Sequence, residues 1–315
     1  MILLAILVFF GFSFIVDDFE YEILNQSAIL ISSKCPNENK ELIIPSKVNY
    51  NNTDYPITMI GANSFENCSN WIGTIKIPEN IISIGDSAFA HCTGFTGDLT
   101  LPDSITEISD NAFRSCSNLN GQLHLPAKLK TIGSNSFSSC SSLKGDLNIP
   151  SEVVSIGSQA FISCSGFDGT ITIGNKVESI GYNAFTSCSG FKGDLTLPNT
   201  LQHIEEQTFS SIGCDGKLTL PNEIISIGSR AFQNTKFTQP LILPSSLKYI
   251  NNSAFFNSKF TGELKLPEEL EIIDRRAFSD CRYFTGSLTI PSKIKTITYE
   301  SFGSCSGFDG ELKLP

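Results

Sequence analysis

The chain has 315 residues, of which 24 are phenylalanine against one tryptophan and two methionines. This skew is typical of one template copied many times, and a repeat array avoids the size limit that divides most chains of this length into separate domains. The formal net charge is −10 at pH 7 without any run of basic residues, which argues against a nucleic-acid partner because phosphates are bound by lysine and arginine clusters.

The first 16 residues indicate a secretory signal peptide. Residues 2–16 are uncharged and apolar apart from Gly11 and Ser13, which matches the length of a signal-peptide core and is short for a bilayer span. Because Gly11 and Ser13 supply small residues at −3 and −1, we predict cleavage after Ser13. An uncleaved anchor and a buried strand are the alternatives. No second hydrophobic segment follows, so the sequence predicts no other membrane span.

Residues 17–56 are predicted to form a degenerate capping repeat. Residues 41–45 have the strand-and-proline pattern of the later repeats, but 20 residues separate Pro45 from Phe65, where later repeats have 11. We assign the excess to a nine-residue insertion around residues 49–56.

Two series of residues recur in phase through residues 57–315, with steps of 23 or 24. The spacing from each proline to the next phenylalanine is always 11, and the length varies only after Phe209, Phe232 and Phe255, where one residue is missing. The first series is Phe65, Phe89, Phe113, Phe137, Phe161, Phe185, Phe209, Phe232, Phe255, Phe278 and Phe302. The second is Pro78, Pro102, Pro126, Pro150, Gly174, Pro198, Pro221, Pro244, Pro267, Pro291 and Pro315.

Each unit is predicted to contain short strands and one short helical turn. In the copy that carries Phe137, Gly133 turns the chain and Ser134 or Asn135 caps the helical turn. Residues 146–149 then alternate polar and apolar side chains, which is the period of a half-buried strand. Because one unit cannot bury its apolar side chains alone, we expect eleven units to stack into a solenoid with the phenylalanines as its spine.

Most of the cysteines occupy one position of the repeat, three residues after a phenylalanine of the first series, which we call a ladder phenylalanine. Neighbouring units of the stack, which we call rungs, would bring the Cα atoms of these cysteines within disulfide distance. Side chains stacked in parallel, however, do not point at each other. We therefore predict buried free thiols that act as small apolar side chains. The eight ladder cysteines are Cys68, Cys92, Cys116, Cys140, Cys164, Cys188, Cys281 and Cys305. The three short units replace them by Ile212, Thr235 and Ser258, and neither Cys35 nor Cys214 has a ladder partner.

The pattern Leu-Pro-x-x-Ile-x-x-Ile-x-x-x-Ala-Phe-x-x-Cys-x-x-Leu-x-Gly, seen at residues 101–121, resembles the BspA-like leucine-rich repeat family. The variant Ser-Gly-Phe-x-Gly at residues 165–169 and 189–193 is more similar to the protist branch than to the bacterial one. The resemblance covers residues 57–315 and implies a right-handed leucine-rich-repeat solenoid. It also implies a secreted or cell-surface location and a role in adhesion or as a surface antigen, without catalytic residues.

No set of residues indicates an enzyme, a metal site or a cofactor. His91, His124 and His203 occupy different repeat phases, so no two of them are expected to stack into a metal or general-base pair. An acidic row shares one phase beside the strand, but neutral and basic residues interrupt it, so we interpret it as a solvated face. The row is Asp98, Asp146, Asp194, Glu263 and Glu311, and the interruptions are Gln122, Thr170, Lys217 and Ser287.

Alternation along the strands predicts one exposed polar face, which we interpret as the surface for a protein or glycan ligand on a host cell or matrix. A spacer without a specific ligand and a self-associating surface protein are the alternatives. The array ends at Pro315 without a polar cap, so we expect a truncated gene. The face consists of Asp98, Thr100, Gln122, His124, Asp146, Asn148, Thr170, Thr172, Asp194 and Thr196. Four possible N-glycosylation sites are Asn25, Asn51, Asn67 and Asn251.

Overall fold

The computed structural model describes residues 13–315, so most of the predicted signal peptide lies outside the described residues. Seven strands belong to the N-terminal region: β1 (Ser13–Val16), β2 (Phe19–Leu24), β3 (Ser27–Ser33), β4 (Lys40–Glu41), β5 (Lys47–Tyr50), β6 (Thr53–Ile60) and β7 (Trp71–Ile72).

Two further groups of strands alternate along the repeats. The upstream ladder precedes each ladder phenylalanine and consists of β8 (Ser83–Ile84), β10 (Glu107–Ile108), β12 (Thr131–Ile132), β14 (Ser155–Ile156), β16 (Ser179–Ile180), β18 (His203–Ile204), β20 (Ser226–Ile227), β21 (Tyr249–Ile250) and β23 (Ile272–Ile273). The downstream ladder lies between phenylalanine and proline and consists of β9 (Leu99–Thr100), β11 (Leu123–His124), β13 (Leu147–Asn148), β15 (Ile171–Thr172), β17 (Leu195–Thr196), β19 (Leu218–Thr219), β22 (Gly262–Glu263), β24 (Phe284–Thr285), β25 (Leu288–Thr289) and β26 (Leu312–Lys313).

The N-terminal strands form a cap that continues into the upstream ladder. Its sheet has the order β1-β2-β3-β6-β5, and β8 pairs with β6 in parallel. The predicted boundary between residues 56 and 57 therefore falls inside β6. Phe14 in β1 packs against Tyr50 at a ring-centroid distance of 4.3 Å, and cleavage after Ser13, which stays a prediction, would leave this contact in place.

The phenylalanine spine is confirmed. The rings of successive ladder phenylalanines stack nearly in parallel at 4.9 to 5.6 Å, and those from Phe65 to Phe278 are completely buried. A second buried column lies six residues after the ladder phenylalanine, or five in the short units. It includes Trp71, Phe95, Leu119, Leu143, Phe167, Phe191, Cys214, Phe237, Phe260 and Phe284.

The predicted helical turn is wrong, since residues 13–315 contain no helix. Asn135 and Ser139, which flank Phe137, have φ values of 56° and 61°. The amide of Ser138 donates to the Asn135 carbonyl oxygen at 3.0 Å, whereas the amide of Phe137 donates to the Ala160 carbonyl oxygen of the next rung at 2.8 Å. Because alternate amides are used between rungs, the chain forms successive tight turns instead of the i to i−4 bonds of a helix.

Seven of the eight ladder cysteines are free thiols, as predicted, but the prediction for Cys68 is wrong. Cys68 forms a disulfide with Cys35 of the cap, with a Cα–Cα distance of 5.2 Å. The cap segment that carries Cys35 lies along the first rung, where β4 pairs with β7 in parallel and the Asn70 side-chain amide donates to the Pro36 carbonyl oxygen at 2.8 Å. Cys214 fills the second buried column and is completely buried.

Candidate functional site

All ten residues of the predicted binding face lie exposed on the downstream ladder, on the five consecutive rungs from β9 to β17. The apolar residues between them point inward: Leu99, Leu123, Leu147, Ile171 and Leu195 are at most 6% exposed. The structure therefore brings the ten side chains together as one polar surface, which we call the ladder face.

The rungs of the ladder face are joined in pairs. Strand β9 pairs with β11, β13 with β15 and β17 with β19, whereas no sheet joins β11 to β13 or β15 to β17. The upstream ladder, by contrast, forms runs of four strands, β10 to β16 and β18 to β23. The ladder face is therefore a series of two-stranded segments with breaks between them.

Reciprocal side-chain hydrogen bonds tie each pair of rungs together. Asp98 Oδ1 accepts from the Gln122 amide at 2.8 Å, and Asn120 Oδ1 accepts from the Gly97 amide at 2.8 Å. The second and third pairs repeat these contacts at 2.6 and 2.9 Å and at 2.7 and 2.8 Å. The aspartates are exposed, as expected for a solvated face, but they also hold the backbone of the neighbouring rung.

Asp146 shows the electrostatic consequence of this arrangement. The amide of Thr170 donates to Asp146 Oδ1 at 2.6 Å, and the Thr170 hydroxyl donates to the same oxygen at 2.9 Å. These two hydrogen bonds hold the pKa of the Asp146 carboxyl below its usual value. Asp146 is thus part of the scaffold as well as of its surface.

The sequence analysis missed the pairing, although the sequence contains its signal. Units with Gly-Asp at residues 97–98, 145–146 and 193–194 alternate with units that have Asn-Gly or Asp-Gly at residues 120–121, 168–169 and 215–216. The residues that appeared to interrupt the acidic row are therefore the alternate members of a two-unit pattern.

A groove of about 760 Å³ lies at the break between β15 and β17. Four residues of the ladder face line it, namely Thr170, Thr172, Asp194 and Thr196. Pro198, Asn175 and Asn199 complete its wall. The break therefore gives the ladder face a shallow, open recess.

A second groove, of about 820 Å³, follows the upstream ladder over five rungs. Ser155 and Ser179 lie along it, and Asp110, Glu178 and Glu205 lie toward its ends. The sequence analysis did not identify this groove, although small residues recur at these positions of the repeat.

The histidines lie apart from one another. His203 Nδ1 lies 2.7 Å from the Ser226 hydroxyl oxygen on the next rung of the upstream ladder, whereas His124 is on the ladder face. Among residues 13–315, no group of three histidine, cysteine or acidic side chains could hold a metal ion. In the same range, no helix has the length and apolar character needed to cross a membrane.

The predicted glycosylation sites differ in exposure. Asn25 and Asn51 are exposed at the tips of the β2–β3 and β5–β6 hairpins, and Asn67 is exposed in the turn after Phe65. Asn251 is half-buried.

The fold is shared with solved structures of repeat proteins. A leucine-rich repeat protein from Bacteroides ovatus is 23% identical, with a TM-score of 0.66 over 96% of this chain and 90% of that one. A leucine rich cell surface protein from Faecalibacterium prausnitzii is 21% identical, with a TM-score of 0.53 over 96% of this chain and 95% of that one. No functionally curated protein matches the chain.

The model of the BspA type leucine rich repeat region matches residues 58–192 and 193–309. These ranges cover most of the array defined by the two phased series, and they confirm the resemblance seen in the sequence. The chain therefore belongs to the BspA-type leucine-rich repeat family.

Proposed function

We propose that the protein is a secreted or cell-surface scaffold that binds a protein partner through its ladder face. The observation that carries this proposal is the presence of ten exposed polar side chains on five consecutive rungs, above completely or nearly completely buried residues. Repeat proteins commonly bind partners through such broad surfaces. An adhesin or surface antigen would use the surface in this way.

The disulfide between Cys35 and Cys68 supports an extracellular location. Disulfides persist in oxidising compartments and are rare in the cytosol. The similar Faecalibacterium prausnitzii protein is described as a cell surface protein, and the apolar N-terminal segment has the length of a signal-peptide core. The three exposed hairpin and turn sequons would be accessible to a glycosylating enzyme in such a compartment.

The chemistry of the ladder face favours a polar or basic partner surface. The face has three aspartates and no lysine or arginine, so an acidic partner would be repelled. The open recess between β15 and β17 would receive a side chain of the partner.

The test separates binding residues from scaffold residues. Asp146 and Asp194 are unsuitable for substitution because each accepts a hydrogen bond from the backbone of the next rung. We therefore choose Thr100→Lys combined with Thr196→Lys, two exposed positions at opposite ends of the face. The matched control is Thr106→Lys combined with Ser151→Lys, which adds the same charge at exposed positions outside both grooves.

A screen of the secreted chain against host cells and matrix proteins identifies the partner, and light scattering reports the oligomeric state. We expect the ladder-face variant to bind at least about tenfold more weakly, with an unchanged melting temperature, and the control to bind normally. Equal binding by both variants would show that the ladder face is not the binding surface. Absence of a partner together with a size that grows with concentration would favour self-association instead.

A further inference from the structure

A column of cationic side chains lies on three consecutive rungs of this acidic protein. Lys236 and Lys259 each directly precede a member of the second buried column, Arg282 lies two residues before the next member, Phe284, and all three are exposed. The residue directly before this column carries no charge in the earlier units, where it is Asn70, Gly94, Asn118, Ser142, Gly166, Gly190 or Gly213. We call Lys236, Lys259 and Arg282 the basic column.

The contacts on either side of the lysines fix their separation. The Thr235 hydroxyl oxygen lies 3.2 Å from that of Ser258, and the rings of Phe237 and Phe260 stack at 5.5 Å. Lys236 and Lys259 lie between these pairs in the chain, so they leave the surface about one rung, or roughly 5 Å, apart. The column therefore runs along the axis of the stack.

The charges of the column are poorly compensated. Lys236 donates only to the carbonyl oxygen of Ser189 at 3.3 Å, and no ion pair involves Lys259 within residues 13–315. Arg282 pairs with Asp280 at 2.8 Å. Neighbouring cations at rung spacing repel each other, and a bound anion would relieve that repulsion.

We propose that the basic column binds a linear sulfated polysaccharide. Such a polymer carries permanent negative charges along its length, which matches cations that recur at a short, regular interval. Asn257 Nδ2 donates to Asn234 Oδ1 at 2.9 Å, so the exposed Asn234 amide group keeps its own N–H donors for hydroxyl or sulfate oxygens. Tyr283, which is 53% exposed beside Arg282, offers an apolar ring face on which a sugar can pack. A polyanion without sugar rings or apolar side chains, such as polyglutamate, would use the charges but not this ring.

The test measures the binding of fluorescent heparin fragments to the full chain by fluorescence polarisation at low and physiological salt. We expect binding that weakens as salt increases, and a loss of at least about tenfold in Lys236→Glu combined with Lys259→Glu. The matched control, Lys144→Glu combined with Lys192→Glu, changes the net charge equally at two exposed lysines elsewhere. Lys236→Gln combined with Lys259→Gln is the milder variant if charge reversal impairs folding, and it should weaken binding several-fold.

Comparison polymers decide the ligand class. Uncharged dextran should not bind, and polyglutamate should bind more weakly than heparin. No heparin binding, or an equal loss in the control variant, would overturn the site, whereas equal affinity for polyglutamate would overturn the assignment to a sulfated polysaccharide. The Thr100→Lys and Thr196→Lys variant should still bind heparin, which distinguishes this site from the ladder face.

Discussion

The long units and the three short units solve the same packing problem with different residues. In the long unit that carries Phe137, Cys140 lies three residues later and donates its thiol hydrogen to the Phe113 carbonyl oxygen at 3.1 Å. In the short unit that carries Phe255, the Ser258 hydroxyl donates to the Phe232 carbonyl oxygen at 3.0 Å. In these two units a small side chain donates to the carbonyl oxygen one rung away. The other short units differ, because Ile212 is apolar and the Thr235 hydroxyl donates to the Phe232 carbonyl oxygen of its own unit.

The missing residue of the short units leaves the buried columns intact. Phe237 and Phe260 lie five residues after their ladder phenylalanines, where Phe167 and Phe191 lie six residues after theirs, yet all four are buried and stack with their neighbours. The deletion thus removes a surface residue between two buried columns. Two of the three short units also carry the lysines of the basic column, Lys236 and Lys259, whereas the first short unit has Gly213.

Truncating a spine phenylalanine should lower the free energy of unfolding more than any other substitution considered below, and by the same amount in long and short units. Phe161 and Phe232 are completely buried, and their rings lie 5.3 to 5.5 Å from those of both neighbours. Either Phe161→Ala or Phe232→Ala should lower the free energy of unfolding by about 3–5 kcal/mol through lost transfer energy and a cavity. Denaturant titration measures the loss, with the exposed Tyr182→Ala as a control. A much smaller loss for Phe232→Ala would mean that the short units are loosely packed.

High pH should destabilise the protein through its buried thiols, most of which lie in long units. Burial raises the pKa of the Cys140 thiol to about 12, whereas an unfolded thiol ionises near pH 8.5. The unfolded state therefore loses its proton first, so the stabilisation that this thiol contributes is constant below about pH 8.5 and falls between about pH 8.5 and 12. Each such thiol contributes up to about 1.4 kcal/mol per pH unit.

Denaturant titrations across this pH range check the prediction. Cys140→Ser should reduce the pH dependence, whereas Ser258→Ala, which removes no thiol, should leave it unchanged. A pH dependence that is equal in both variants would contradict the assignment to the buried thiols.

The sequence predicted the stack because buried positions admit few residue types. Phenylalanine recurs wherever the spine passes, so its period is visible without an alignment. The turn geometry was missed because positive φ is shared by residues as different as Asn135, Gln159 and Arg230, which leaves no simple sequence signature. The disulfide of Cys68 depends on the path of the cap, which follows no repeat.

The ladder face was predictable because strand alternation places neighbouring side chains on opposite sides. The division of the ladder face into pairs was visible only as an alternation of Gly145-Asp146 with Asp168-Gly169. A search with a one-unit period does not detect an alternation that repeats every two units. The basic column was invisible as a run, because Lys236 and Lys259 lie one full unit apart in sequence.

Adding a side chain at Gly166 should destabilise the stack through close backbone contacts of the kind that Gly213 makes in the first short unit. A Cβ atom there would lie 2.5 Å from the Ser141 carbonyl oxygen and 2.7 Å from that of Leu143. Gly166→Ala should therefore cost about 1–3 kcal/mol through overpacking. Ser142→Ala, at the equivalent position one unit earlier, should cost less than about 0.5 kcal/mol because a side chain is already accommodated there. Equal melting temperatures for both variants would show that the rungs can separate without cost.

Exchanging the donors between the two kinds of unit should have the smallest effect. Cys140→Ala removes one hydrogen bond, and Ser258→Ala removes the donation to the Phe232 carbonyl oxygen and the acceptance from the Thr235 hydroxyl. Each should cost about 0.5–1.5 kcal/mol, since each accepting carbonyl keeps a second donor within its turn. Cys140→Ser and Ser258→Cys retain a donor of similar size, so each should be closer to the wild type than the matching alanine variant. Thermal unfolding measures all four. If Cys140→Ser were less stable than Cys140→Ala, the long units would require sulfur for its apolar volume, and the two kinds of unit would differ in their packing as well as in length.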